Sequence, residues 1–181
     1  MKRSVLLAVS FLFAASLAFA QAGSIGVFSD CAASDCSFQD TGPSCCITVN
    51  MIHVHTAGAT GARFALQPPP GWSYIGEIWN VTLVSGSALG GATLSYAGCL
   101  SPTIPLGCVT FWGTPEPPCT YFGIVPDPGA SSGRIEAWDC GTPPAVMYPT
   151  GGQGIVNSDG TCDCNVPVSN TSWGNIKGLY R

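Results

Sequence analysis

The segment Cys45–Thr56, CCITVNMIHVHT, alternates with a period of two. Ile47, Val49, Met51, His53 and His55 share one face, and Thr48, Asn50, Ile52, Val54 and Thr56 the other. β-Branched residues dominate and neither Pro nor Gly interrupts them, so the segment reads as a strand with neighbours on both edges. It also holds both histidines of the chain and two of its 10 cysteines. A central strand needs a sheet around it, and the flanking sequence supplies one.

Upstream, Gly26–Ser29 is a short first strand, followed by a loop carrying Cys31 and Cys36. Downstream, Thr56–Ala62, TAGATGA, is a small-residue turn. Arg63–Leu66 then returns as a strand until Pro68–Gly71 stops it, because proline donates nothing to a ladder. Glu77–Val84, Ala92–Tyr96, Leu106–Trp112, Thr120–Val125, Arg134–Cys140, Val146–Tyr148 and Gly154–Val156 continue the series between Gly-, Ser- and Pro-rich turns. About eight to ten short strands at intervals of about ten residues predict an all-β fold, an antiparallel β-sandwich. No internal repeat or linker divides it, and the chain is long enough to bury one core. The expected organisation is a targeting segment at 1–20, a sandwich domain at 21–169 and a tail at 170–181.

The targeting segment has the three parts of a secretory signal. Lys2 and Arg3 provide the charge, Val5–Phe13 and the Ala/Leu run after it the apolar region, and Ala18-Phe19-Ala20 a small-x-small site for cleavage after Ala20. No later apolar run is long enough to span a membrane, so the expected product is periplasmic or extracellular. Beyond the signal, Arg63, Arg134, Lys177 and Arg181 stand against 10 acidic residues. That balance excludes nucleic acid as a partner, since its binding rests on basic side chains that displace phosphate counterions. The expected partner is a ligand or a cell-surface component, and nothing in the sequence asks for a cofactor.

An even count of cysteines in an exported chain reads as a disulfide framework. The set is Cys31, Cys36, Cys45, Cys46, Cys99, Cys108, Cys119, Cys140, Cys162 and Cys164. Zinc ribbons fit poorly, because the pair Cys162-Asp163-Cys164 has one residue between its thiols where such sites need two to four. By position, Cys99 and Cys108 are expected to bridge the arms of a hairpin and Cys140 to reach Cys162 or Cys164. Cys45 and Cys46, on opposite faces of one strand, go to different partners.

Three chemical candidates remain. Met51, His53 and His55 form M-x-H-x-H on one strand face, a donor set suited to copper or zinc, although no other histidine supplies a third imidazole. Trp72 and Tyr74, in the loop after PPPG, are the candidates for a glycan-stacking platform, with Trp79, Trp112 and Trp138 read as packing residues within strands. Asn157-Ser-Asp159-Gly160 opens like a calcium loop but lacks the closing Glu, so it reads as a turn. No Gly-x-Ser-x-Gly elbow occurs, and Glu77, Glu116 and Glu136 show no pairing that would mark a glycosidase. The reading is therefore non-catalytic: a structural or binding module, with a small metal-binding protein as the alternative. In the tail, Asn170–Arg181 spaces Trp173, Ile176 and Tyr180 as an amphipathic helix would, with Lys177 and Arg181 toward its end.

The chain resembles a group of small exported, Cys-rich β proteins of environmental bacteria. The resemblance rests on Ser24–Asp30, Asp35-Cys36, His53–Thr60, Ala97–Leu100, Pro126–Gly133 and a tail of the form Ser-Trp-Gly-x-Ile-Lys-x-Leu-Tyr-Arg. It spans nearly all of the chain beyond the signal. The resemblance implies no activity. Its shared pattern includes His53 but not His55, and it marks Cys31, Cys45, Cys46 and Cys108 as additions that imply two extra bridges. The recurring tail implies a shared export or surface-attachment step.

Overall fold

A computed structural model of the chain describes residues 22–40, 46–113, 117–162 and 164. Among these the regular structure is all strand: β1 (Ser24–Phe28), β2 (Ser37–Phe38), β3 (Cys46–Val54), β4 (Ala59–Gln67), β5 (Ser73–Trp79), β6 (Leu83–Ser87) and β7 (Gly91–Leu100). They continue with β8 (Thr103–Trp112), β9 (Thr120–Val125), β10 (Glu136–Trp138), β11 (Val146–Met147), β12 (Thr150–Gly151) and β13 (Gln153–Val156). The signal segment, Cys45 and the expected tail helix lie outside the described residues. No helix among the described residues is long and apolar enough to cross a membrane.

The segment Cys46–Val54 is central, as its composition requires. β3 pairs antiparallel with β1 on one edge and β8 on the other, and the first sheet runs β12-β1-β3-β8-β5. In the second sheet β4 is the shared strand. β7 and β10 flank its first half, β9 pairs with Ala65–Gln67, and β13 and β2 extend beyond β9. β6 pairs with β7 and β11 with β10.

The sheets face each other across one core, which makes the fold a sandwich. Ile25, Val49, Met51 and Phe111 of the first sheet meet Phe64, Leu66, Leu94 and Phe122 of the second, all buried. Phe111 and Phe122 touch across the gap at a centroid distance of 5.2 Å. Each such side chain contributes roughly 1.5–3 kcal/mol of apolar burial.

Along β3 the alternation holds from Cys46 to Met51, with Ile47, Val49 and Met51 inward and Cys46 and Thr48 exposed. It then breaks, because Ile52 is also buried. Two features account for this. A bulge shifts the register between Met51 and Ile52, so their partners are Gly107 and Pro105 and β8 carries one extra residue. Phe28, Cys36 and Cys164 also cover Ile52 on the outside, forming a small second core.

Several expectations need correction. The sandwich is mixed rather than purely antiparallel, since β1–β12 and β2–β13 are parallel. These involve two-residue strands, too short for alternation to be visible in sequence. The segment TAGATGA is strand from Ala59 onward. Glu77–Val84 is not one strand: β5 and β6 belong to different sheets, and the corner between them is held where the Asn80 N–H donates to the Leu106 carbonyl, 2.9 Å away.

The disulfides also differ from the expected pairing. The bridges are Cys36–Cys164, Cys99–Cys140 and Cys119–Cys162, while Cys31, Cys46 and Cys108 are free thiols. Cys99 and Cys108 cannot close a hairpin because β7 and β8 lie in opposite sheets. Instead Cys99 reaches Cys140 over Gly58, where an added Cβ would sit 2.7 Å from one sulfur and 3.0 Å from the other. Cys162 thereby goes to Cys119, across the antiparallel pair β13–β9.

Candidate functional site

The M-x-H-x-H face of β3 and the residue after it point into the sandwich. Met51 and His53 are fully buried and His55 nearly so. The imidazoles of His53 and His55 meet edge to face, with centroids 5.6 Å apart. His53 Nδ1 hydrogen-bonds the Tyr96 hydroxyl of β7 at 3.0 Å, a contact that spans the two sheets. Burial, reinforced by the neighbouring His55, pushes the His53 pKa down to about 3, so the ring is neutral. Burial likewise pushes the Tyr96 phenol up, which keeps its proton in place. His53 Nε2 has no hydrogen-bond partner among the described residues.

No His, Cys, Asp or Glu joins the two imidazoles as a third ligand among the described residues. The one group of such atoms there within 4.8 Å of one another is Cys119, Asp159 and Cys162. Two of its members are spent in a disulfide. Asp159 caps its own turn, accepting from the N–H of Thr161 at 2.9 Å and from its hydroxyl at 2.6 Å. The Asn157–Gly160 segment is thus turn chemistry, as its missing Glu implied.

The aromatic candidates separate. Trp72 is a core residue, packed on Phe122 at 5.2 Å and Phe111 at 6.4 Å. Its indole lies against Gly113, where an added Cβ would sit 2.7 Å from the ring. Tyr74 is half exposed, with its ring leaning on Phe111. The two form no joint platform, because Trp72 is buried in the core while Tyr74 stays half exposed. Trp112, by contrast, stands on the outer face of β8 and is 44 % exposed.

Trp112 belongs to a larger feature that sequence reading missed. The outer face of the first sheet places Cys46, Trp112 and Ser73 in one row, Thr48, Thr110 and Gly76 in the next, and Asn50, Cys108 and Ile78 in a third. Ile78 is 67 % and Ile75 53 % exposed. None of these side chains is charged. Cys31 closes the far corner, its Sγ 3.4 Å from Asn50 Oδ1. The signal was present in the sequence as Ile75 and Ile78 in one strand, but a register was needed to place Trp112 and the thiols beside them.

The carboxylates considered for hydrolysis are occupied. Glu77 accepts from the Ala88 N–H at 2.9 Å and from Trp79 Nε1 at 3.1 Å, which ties β5 to the turn between β6 and β7. Glu136 lies 3.9 Å from Arg63, whose Nε donates to Asp127 at 2.7 Å. Burial pushes the Asp127 carboxyl up, but hydrogen bonds from Arg63 and Gly129 outweigh it and hold the group below its ordinary range. Glu116 lies outside the described residues.

No family model and no curated protein matches the chain. Four chains of solved structures are similar to it, two of which illustrate the likeness. One is a chain of the CaDoc0917–CaCohA2 complex, at 11 % identity and a TM-score of 0.49, covering 75 % of this chain and 98 % of that one. The other is the seventh ScaB type I cohesin of Pseudobacteroides cellulosolvens, at 9 % identity and a TM-score of 0.46, covering 77 % and 96 %.

Proposed function

We propose that the chain is an exported, disulfide-stabilised, non-catalytic module that binds a protein of the cell surface through the outer face of its first sheet. The observation that carries this reading is the uncharged strip of Ile75, Ile78 and Trp112, exposed on β5 and its neighbour β8. β5 is also an edge strand, which offers backbone groups to a partner. An exposed patch of this kind on a chain of low charge fits a protein surface better than nucleic acid or an anionic membrane. The non-catalytic half of the reading rests on the occupation of Glu77, Asp127 and Glu136 in structural contacts and on the burial of both histidines. Three bridges suit an oxidising compartment, in keeping with a signal removed after Ala20.

The test is binding of the purified protein, begun at Gln21, to envelopes of the producing cells. Saturable, protein-dependent binding is expected, abolished by an Ile78→Asp, Trp112→Asp double variant and kept by Ser95→Asp on the opposite sheet. No saturable binding, or binding indifferent to the double variant, overturns the reading.

A copper- or zinc-binding role has one observation in its favour, the two buried imidazoles with the free Nε2 of His53. Met51 would complete the donor set. Metal analysis of protein from the exported fraction, followed by titration with Cu(I) and Zn(II), decides it. A stoichiometric ion lost in His53→Phe would replace the binding reading, and no uptake removes it.

A further inference from the structure

The outer face of the second sheet holds a groove of a different kind. Register places Trp138, Gly61, Ser95 and Leu83 in one row across β10, β4, β7 and β6. The next row is Glu136, Arg63, Thr93 and Ser85. Gly61 is buried even though it faces outward, because the indole of Trp138 lies against it: an added Cβ would sit 3.0 Å from the ring and 2.5 Å from the Leu94 carbonyl. A groove of about 560 Å³ opens beside this indole, walled by Trp138 and Pro144 on one side and by Thr93 and Ser95 on the other. Its floor, at Gly61, Ala97 and Gly98, carries almost no side chain.

We infer that this groove binds a short neutral oligosaccharide, with one sugar ring stacked on Trp138. A pyranose has an apolar C–H face and a rim of hydroxyls. The partly exposed indole and the proline ring match the first, and the Thr93 and Ser95 hydroxyls with the bare backbone floor match the second. The neighbouring charges are Arg63 against Glu136 and Asp127, a surplus of one negative charge, which disfavours an anionic sugar. The volume is within the usual range for a small-molecule site. The inference is independent of the protein-binding face, which lies on the other sheet.

The experiment is calorimetric titration of the intact folded protein with cellohexaose, mannohexaose, xylohexaose and chitohexaose. At least one is expected to bind in the micromolar to millimolar range. Trp138→Ala should lower that affinity about tenfold or more, as loss of an aromatic stacking surface does. Trp112→Ala, on the other face, should leave it unchanged. Ser95→Leu, which fills the groove from its far wall, is the second variant and should also abolish binding while keeping the parent melting temperature. Absence of binding to all four sugars at millimolar concentration overturns the inference. So does binding that survives both groove variants.

Discussion

Cys99–Cys140 and Cys119–Cys162 each tie strands of the second sheet, while on the outer face of the first sheet Cys46 and Cys108 remain thiols, with Cys31 beside them. The ladders explain the contrast. The first sheet is built on β3 and β8, paired in register from Cys46–Trp112 to Val54–Thr103 around a single bulge. The second is assembled from pieces, with β10 three residues long, β13 four and β2 two. Strands that short hold themselves with few ladder bonds, and bridges that constrain the unfolded chain compensate. Covalent stapling is found where the ladder is weakest.

The largest expected effect tests this contrast directly. Each bridge is worth about 2–4 kcal/mol, so reduction of all three should unfold the domain or lower its melting temperature steeply in calorimetry. A melting curve indifferent to reductant would break the comparison. Acid attacks a different place, the hydrogen bond between His53 and Tyr96 that joins the sheets. The unfolded chain takes up this proton at about pH 6.5 and the folded one only at about 3. The stability that neutral His53 supplies is therefore complete above about pH 6.5 and falls progressively toward pH 3, by roughly 5 kcal/mol in all. Denaturant titrations from pH 7 to 3 should show that slope, and His53→Asn should flatten it.

A smaller effect is expected at Gly61, where a methyl group meets both the Leu94 carbonyl and the indole of Trp138. Gly61→Ala should cost roughly 1–3 kcal/mol and shift the Trp138 fluorescence. The smallest belongs to the free thiols. Cys46→Ser should stay within about 0.5 kcal/mol of the parent, and Cys46 and Cys31 should be alkylated by iodoacetamide in the native protein, ahead of the less exposed Cys108. If Cys46→Ser proved as damaging as loss of Cys99, the two sheets would not differ as described.

Much of the first sheet was legible because β3 and β8 are long enough to show a period of two, and β9 was placed to the residue. The two-residue strands β2 and β12 were not, because a segment that short has no period. TAGATGA looked like a turn since small residues mark turns, yet Gly61 is there to receive an indole from β10, a partner that local sequence does not name. The bridges failed for the same reason: Cys99 and Cys108 are close in sequence, but β7 and β8 divide between sheets. At the candidate sites, chemistry was readable and orientation was not. Alternation placed Met51 and His53 on the core face of β3. It could not send Trp72 inward or leave Trp138 against a groove, since both depend on what the facing strand lacks.

The bridges at the end of the described chain also have a mechanical consequence. Cys162 is fastened to Cys119 and Cys164 to Cys36 immediately after β13. Tension applied through residues beyond Cys164 would enter the domain at covalent bonds and would not unzip β13 from β9. The 128 positions separating Cys36 from Cys164 would be locked against extension, a contour of roughly 3.5 Å per residue withheld from any pull. Were the module tethered by that end, it would behave as a stiff link and would lengthen under load only after reduction.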